Sequence, residues 1–349
     1  MLDSLIRHVQ GSKSLDLEQV QSAVAALTDP DVSVETKAAF LTALSTKGET
    51  ISEIEAFAGQ LLKRSVPIPI DNATRDRGIV DVCGTGGDHL NTFNISTSVA
   101  LVVSAAGLTV AKHGNRAITS KAGSADLLEA LGIRLDLSPE ASAEMLARHG
   151  FVFLFAQAYH PAFKHIGPAR RLCAERGQRT IFNFLGPLLN PARPTGQLLG
   201  VSRADLCEPL ARVLQRLGVR RAMVVCGRVG DATMDELSTL GESSIAEFYH
   251  DRGFSMSTLS PADLGLGRAT LEDLAGGDKH RNAEIVMAVL SGRDRGPKRD
   301  AVLLNAGAAL FVGGAVTSIA EGWDLAGRTI DEGRVVQKVE ALRGASVVG

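Results

Sequence analysis

Residues 79–97 read IVDVCGTGGDHLNTFNIST: a short apolar run, a glycine turn, then a string of small hydroxyl and amide residues. Ile79–Cys83 supplies a strand. Gly84, Gly86 and Gly87 remove three Cβ atoms, which lets backbone N–H groups approach phosphate oxygens in dihedrals that other residues avoid. Asn94, Ser96 and Thr97 are N-cap residue types, and Val99, Val102, Val103 and Ala106 follow at helical spacing until Gly107 ends the helix. The turn therefore delivers a helix N-terminus to its ligand, where the macrodipole contributes roughly 0.3–1 kcal/mol to an exposed anion and oriented hydroxyl and amide donors add to it.

A second stretch, KHGNRAITSKAGSADLLEALG (residues 112–132), repeats the logic. Leu108–Ala111 is the strand, Lys112 the point charge for a phosphate, and Asn115, Thr119, Ser120 and Ser124 are small donors before a helix at Leu127–Leu131. Asp88 faces the opposite problem: a carboxylate beside phosphates is repelled unless it holds a metal ion or accepts from a ribose hydroxyl. Neither G-x-G-x-x-G nor G-x-x-x-x-G-K-[ST] occurs, so no familiar nucleotide fingerprint applies. One glycine turn by itself is as readily a tight turn as a binding loop. Two, both strand-to-helix and both crowded with donors, indicate a site for a heavily phosphorylated small molecule.

Outward from these turns the chain changes character. Leu17, Val20, Val24 and Leu27 form one helical stripe, and Val34, Ala38, Leu41 and Leu44 a second before Gly48. Thr50 and Glu53 make a capping box for a third helix, with Ile54, Phe57, Leu61 and Leu62 facing in. Pro67 and Pro69 mark a linker. From Ile79 onward strands and helices alternate, with apolar runs at Phe151–Ala156 and Ala222–Cys226, which indicates an α/β fold with a mainly parallel central sheet flanked by helices. Pro168–Pro191 lacks strand periodicity and is expected to return to the helical part. The expected division is a small discontinuous helical domain, 1–70 with a return near 168–191, and a larger α/β domain over 71–167 and 192–349. Residues from Asn282 to Gly344 read as helices covering the sheet, with close packing at Ala306–Ala309.

The 349 residues carry 37 basic and 39 acidic side chains, a net charge of −2, with 45% hydrophobic and 22% charged residues. That length suits two domains or one large one. No run approaches 18 apolar residues, and MLDSLIRHVQGSKS lacks the features of a signal peptide, so a cytoplasmic protein is expected. The four cysteines, at 83, 173, 207 and 226, form no C-x-x-C pair and read as reduced interior thiols. His113 and His160 have no metal-ligand spacing. Asp235-Glu236 by itself reads as two ordinary solvated carboxylates.

These motifs resemble those of the anthranilate phosphoribosyltransferases: GTGGD (Gly84–Asp88), N-x-S-T (Asn94–Thr97), K-H-G-N-R (Lys112–Arg116) and G-S-A-D (Gly123–Asp126). Further matches are His160–Arg170, Arg179–Pro191, Gln197–Val201 and Asp235-Glu236, in family order over nearly the whole chain. The resemblance implies that Gly84, Gly87, Asp88, Thr92, Asn94, Ile95, Ser96, Thr97, Lys112, His113, Gly114, Asn115, Arg116, Ala117, Ile118, Thr119, Ser120 and Ser124 hold phosphoribosyl pyrophosphate. It implies that Ser96, Asp235 and Glu236 bind one or two magnesium ions, and that Gly84, Asn115 and Arg170 contact anthranilate. No side chain is implied as nucleophile or general base. A substrate cleft between the two domains and a homodimer through the helical domain are also implied.

The competing readings are a nucleoside phosphorylase, whose K-H-S-x-G-G arrangement is absent here, and a non-catalytic nucleic-acid-binding relative, which the sequence pI of about 6.5 disfavours. Three departures from the family pattern bear on loop geometry and acceptor preference: Arg228–Thr233 (RVGDAT), Glu242-Ser243, and Phe163 after His-Pro-Ala.

Overall fold

The computed structural model describes residues 2–116, 121–250, 253–266 and 269–345. Four helices come first: α1 (Leu2–Gln10), α2 (Leu17–Thr28), α3 (Val34–Lys47) and α4 (Ile51–Leu62). The capping box expected at Thr50 and Glu53 is formed, and Asp16 with Gln19 makes another at the start of α2. Val20, Val24 and Leu27 are fully buried, but Leu17, at the first position of α2, is 60% exposed, so the stripe begins at Val20.

Glu53 holds this unit together. Its carboxylate is fully buried and accepts hydrogen bonds from Leu15 N (2.9 Å), Thr50 N (2.8 Å) and Lys47 Nζ (2.7 Å). Burial alone would push its pKa up, but these bonds outweigh it and hold the group below the usual carboxylate range.

The chain then passes through the short helix α5 (Asn72–Asp76) into alternating elements: β1 (Ile79–Gly84), α6 (Ile95–Ala105), β2 (Thr109–Gly114), α7 (Ser124–Ala130), α8 (Pro139–His149), β3 (Phe151–Phe155) and α9 (Ala156–Tyr159). It returns to the first helices through α10 (Gly167–Glu175) and α11 (Phe182–Leu185). Buried Lys37 donates from Nζ to Asp29 O (2.6 Å) and His165 O (3.0 Å), and the Cys173 thiol of α10 donates to Ala38 O (3.6 Å) in α3. There follow β4 (Gly196–Gly200), α12 (Cys207–Arg216), β5 (Arg221–Val229), β6 (Ala232–Met234), β7 (Ser243–Tyr249) and β8 (Gly253–Leu259). Helices α13 (Lys279–Leu290), α14 (Pro297–Val312), α15 (Ile319–Asp331) and α16 (Arg334–Ala345) complete the described chain.

The sheet order is β3-β2-β1-β4-β5-β7-β8, with β6 also paired to β5. Strands β1 to β5 are parallel, whereas β6 and β7 pair antiparallel with β5, and β8 antiparallel with β7. The mainly parallel sheet is as expected. Its antiparallel edge was not foreseen, because residues 243–259 carry small polar residues where a buried strand would show a continuous apolar run. Strand β2 runs three residues beyond Ala111, so Lys112 and His113 are strand residues rather than loop residues. RVGDAT is the hairpin from β5 to β6, with Val229 opposite Ala232.

Along β5, Met223 and Val225 join the apolar core shared with α6, α13, α14 and α16, while Ala222, Val224 and Cys226 join the one shared with α12 and the N-terminal helices. Period-two alternation thus feeds two cores, which is why the run reads as continuously apolar. Ala306, Ala308 and Ala309 in α14 are fully buried.

Glu53→Ala is expected to cost about 3–5 kcal/mol, because it strands Lys47 and two amides in the interior; urea unfolding measures this, and a loss below about 1 kcal/mol would contradict the assignment. The depressed pKa sets the sign with pH. The contribution of Glu53 is complete above a free carboxyl's 4.5 and is lost as pH falls through the lower folded value.

Candidate active site

In an open parallel sheet, ligands bind outside the carboxyl ends of the strands where the strand order reverses. Here that point lies between β1 and β4, which pair Gly84 with Gly200. The Asp235-Glu236 segment lies across it. A Cβ on Gly84 would stand 2.0 Å from Asp235 Oδ2, and one on Gly200 would stand 1.5 Å from the Asp235 carbonyl oxygen. Neither strand can end in any larger residue while the carboxylates stay in place. Gly86 N donates to Asp235 Oδ2 (2.7 Å), and Thr85 N to Gly200 O (2.9 Å).

Gly86 and Gly87 have φ of +70° and +81°, the conformation that the glycine-rich sequence predicts. His89 and Asn91 also have positive φ, at +59° and +54°. Such backbone persists when its surroundings over-determine it. Leu90 N donates to Asp88 Oδ1 (3.2 Å), Phe93 N to Leu274 O (3.0 Å) and Gly276 N to Asn91 O (2.9 Å), while Thr92 forms a β-bridge with Ala275.

Helix α6 starts next. Asn94 occupies its N-cap position but caps nothing, because its φ of −71° and ψ of 72° lie outside the extended geometry that aims a cap at the first-turn amides. Its Nδ2 donates to Ala122 O (3.0 Å) and its Oδ1 accepts from Asn282 Nδ2 (2.8 Å), so the side chain spans the two glycine-rich turns. Ile95 is buried in the apolar core and Thr97 is 1% exposed. Lys112 is 2% exposed, and its ammonium donates to Val82 O (2.5 Å) and Ser96 Oγ (3.3 Å). It lies beneath Ser96, where its charge opposes the burial-driven rise in the pKa of both Asp81 and Glu236.

On the second turn, Ser124 Oγ donates to Asn115 O (3.3 Å), and Asn115 Oδ1 accepts from Arg116 N (2.8 Å). Arg116 itself is committed to Glu129 (3.1 Å) and Asp126 (2.9 Å), bonds that hold its pKa above the usual value. Gly114 ends β2 beside this turn. Ala117, Ile118, Thr119 and Ser120 lie outside the described residues.

Asp235 and Glu236 are half-buried beside Asp88. Burial, then Asp88, pushes Asp235 up to about 7; burial, then Asp235, pushes Glu236 up, although Ser96 N donates to it. This crowding is what a cation relieves, and an all-oxygen set suits magnesium. Among the described residues no three His, Cys, Asp or Glu side chains converge to hold a metal by themselves. Phosphate oxygens and water would complete the shell.

A ring series leads to the helical side. His113 and His160 meet edge to face at 5.2 Å, His160 stacks on Phe163 at 5.1 Å, Phe163 meets Phe182 at 5.7 Å, and the Arg170 guanidinium lies 5.3 Å from the Phe182 ring centre. Burial, then His160, lowers the pKa of His113 to about 3, so this strand histidine is neutral. His160 Nε2 lies 2.8 Å from Leu189 O. The Arg170 guanidinium has no hydrogen-bond or ion-pair partner among the described residues, and burial pushes its pKa down.

Three buried asparagines escaped the sequence reading. Asn305 grips Leu237 on both sides, accepting from its N (2.9 Å) and donating to its O (3.0 Å), next to the carboxylate pair. Asn190 donates to Asp81 Oδ2 (2.8 Å) and Ala111 O (2.7 Å). Asn282 reaches Asn94. For Asn305 and Asn190 the signal was a lone amide in an apolar helix or turn, a polar group that must be satisfied where it is buried; Asn282, after Lys279-His280-Arg281, carried no such signal.

The chain matches the glycosyl transferase family model for the α/β domain over residues 76–336 and that for the helical bundle domain over residues 3–65. It is 50% identical over 316 residues to the anthranilate phosphoribosyltransferase of Geobacter sp. (strain M21), covering 87% of each chain. It is 44% identical to that of Lacticaseibacillus paracasei, covering 98% of this chain and 96% of the relative. Among solved structures, anthranilate phosphoribosyltransferase from Thermus thermophilus superposes with a TM-score of 0.88 at 40% identity, over 98% of this chain and 99% of that one. The Saccharomyces cerevisiae enzyme in complex with PRPP and Mg superposes at 0.83 with 27% identity, over 95% of this chain and 92% of that one.

The two strand-end glycines are predicted to differ. Gly200→Ala meets the Asp235 backbone and is expected to destabilise by roughly 1–3 kcal/mol or more, whereas at Gly84→Ala the nearest atoms belong to a side chain that can turn aside. Denaturant unfolding ranks them; a milder Gly200→Ala would contradict the packing.

Proposed function

The chain belongs to the anthranilate phosphoribosyltransferases of the glycosyl transferase family, and on that premise we infer that it transfers the phosphoribosyl group of phosphoribosyl pyrophosphate to anthranilate, a step of tryptophan biosynthesis. The anthranilate nitrogen forms a bond to ribose C1, the bond from C1 to the pyrophosphate oxygen breaks, and the amine proton leaves to solvent. The observation that carries this reading is the meeting of the glycine-rich turn with the Asp235-Glu236 segment at the reversal of the sheet.

The chemistry asks the protein to stabilise a departing polyanion. We assign phosphoribosyl pyrophosphate to Gly84, Gly87 and Asp88 of the first turn, to Thr92, Asn94, Ser96 and Thr97 leading into α6, and to Lys112, Asn115 and Ser124. Magnesium, bound by Ser96, Asp235 and Glu236, would supply positive charge to the leaving group. Two unit charges 4 Å apart interact by about 4 kcal/mol at an effective dielectric of 20, which is the scale on which a buried ammonium such as that of Lys112 acts on a neighbouring phosphate. Asn94 acts by spacing the two turns, since both ends of its amide are engaged.

For the acceptor, Arg170 offers a half-buried guanidinium, held over Phe182, that no carboxylate pairs among the described residues. A planar fork matches a carboxylate bidentately, so Arg170 would orient anthranilate by its carboxylate, beside Gly84 and Asn115. The attacking amine is neutral at pH 7, so positioning it near C1 replaces a strong general base. The neutral His113, without a charge to exchange near pH 7, is consistent with that.

We further propose a cytoplasmic homodimer joined through the helical unit of residues 1–70 and 168–191, with no nucleic-acid or membrane partner. The net charge is −2, and no helix among the described residues is long and apolar enough to cross a membrane. Leu17, 60% exposed on α2, would lie in that interface.

Arg170→Ala is expected to raise the anthranilate KM at least tenfold with little change for phosphoribosyl pyrophosphate, and Arg170→Lys to restore it only in part; unchanged anthranilate kinetics would refute the assignment. Asp235→Asn with Glu236→Gln should remove the magnesium response of the rate, and an unaltered magnesium titration would point to other ligands. Sedimentation should give twice the 36.7 kDa chain mass, and Leu17→Glu should shift it toward the monomer. A wild-type monomer would exclude the dimer.

A further inference from the structure

The segment from Leu274 to Asn282 lies outside every motif of the sequence reading, yet it is bonded to the first phosphate turn and, through Asn94, linked to the second. Its backbone straps the end of the first turn through Phe93 N donating to Leu274 O, Gly276 N donating to Asn91 O, and the bridge between Thr92 and Ala275. Asn282, in the first turn of α13 and 2% exposed, accepts at Oδ1 from Gly277 N (2.7 Å) and donates from Nδ2 to Asn94 Oδ1 (2.8 Å). Asn94 in turn donates to Ala122 O (3.0 Å) on the second turn.

This relay has a fixed direction. Gly277 N–H can only donate and Ala122 C=O can only accept, so both amide orientations between them are determined. A second tie, between Lys279 and Glu129 at 3.4 Å, joins α13 to α7 but is exposed and contributes little.

We propose that Asn282 is a positioning residue that sets the spacing of the two phosphate turns by orienting Asn94, and so governs affinity for the phosphoribosyl donor. The proposal rests on the functional reading above. It differs from a purely structural role in touching donor affinity selectively: nothing joins Asn282 to Arg170 or to the ring series at the acceptor side among the described residues.

The test compares wild type, Asn282→Ala, Asn282→Asp, Asn94→Ala and the double alanine variant. Calorimetric affinity for phosphoribosyl pyrophosphate with magnesium is read alongside the KM for each substrate and the melting temperature. Asn282→Asp is nearly isosteric and keeps the acceptor for Gly277 N, but turns an acceptor toward Asn94 Oδ1; if Asn94 flips, it meets Ala122 O with an acceptor instead. Each single Asn282 variant is expected to weaken donor binding about tenfold, the scale of one buried hydrogen bond, with the anthranilate KM unchanged. In the Asn94→Ala background, Asn282→Ala should weaken donor binding no further.

Donor affinity within twofold of wild type in a folded variant, or a full additive loss in the Asn94→Ala background, would overturn the proposal. If the alanine variant does not fold, the aspartate variant decides by the same criterion. Failure of the wild type itself to bind phosphoribosyl pyrophosphate would refute the functional reading instead.

Discussion

Two atoms cannot share the space above Gly200, and the site is arranged around that exclusion. The Asp235 carbonyl oxygen lies 1.5 Å from where a Cβ on Gly200 would stand, and the Asp235 carboxylate 2.0 Å from one on Gly84. Because β1 and β4 pair at these glycines, the carboxylate segment can settle across the reversal of the sheet and receive Gly86 N from the glycine-rich turn. The carboxylates that would neutralise a metal and the amides that would face a phosphate are thereby placed side by side. A parallel sheet supplies helix N-termini and strand ends at one edge in any case; the missing side chains allow a second segment to reach them.

Neutral amides then carry much of the burden of precision. Asn305 pairs with the backbone of Leu237 as a strand would, holding the carboxylate segment from behind. Asn94 and Asn282 do the same for the spacing of the turns. An amide fixes direction through a donor and an acceptor on one plane without adding charge to a site already crowded by Asp88, Asp235 and Glu236. The charges are treated separately: Lys112 lies buried beneath Ser96, buried Glu53 is saturated within the helical unit, and half-buried Arg170 rests on Phe182 with no anion paired to it among the described residues. Of these, the last is the one whose unsatisfied charge asks for a ligand.

Much of this was legible in the sequence. The strand, turn and helix from Ile79 to Ala105 follow from glycine dihedrals and helical periodicity, and the Thr50–Glu53 box from its spacing. The limits are equally physical. Lys112 and His113 looked like loop residues because polar side chains in β2 break the apolar pattern of a buried strand, yet partners at Val82, Ser96 and Gly186 make their burial tolerable. Asn94 had the right identity for a cap, but its use depends on a dihedral fixed by the strapped turn before it. The pairing of 91–93 with 274–276 joins segments about 180 residues apart in sequence, and no local pattern encodes it. The ring series from His113 to Arg170 likewise exists only once α10 and α11 return to the first helices.

At the carboxyl ends of β1 and β4 a phosphoribosyl donor would meet anthranilate. Anthranilate fluorescence, followed with purified protein, phosphoribosyl pyrophosphate and magnesium and with each omitted in turn, tests it most directly. Decay is expected only when all three accompany anthranilate. Persistent fluorescence in the complete mixture, from folded protein that binds the donor, would contradict it and reassign the acceptor.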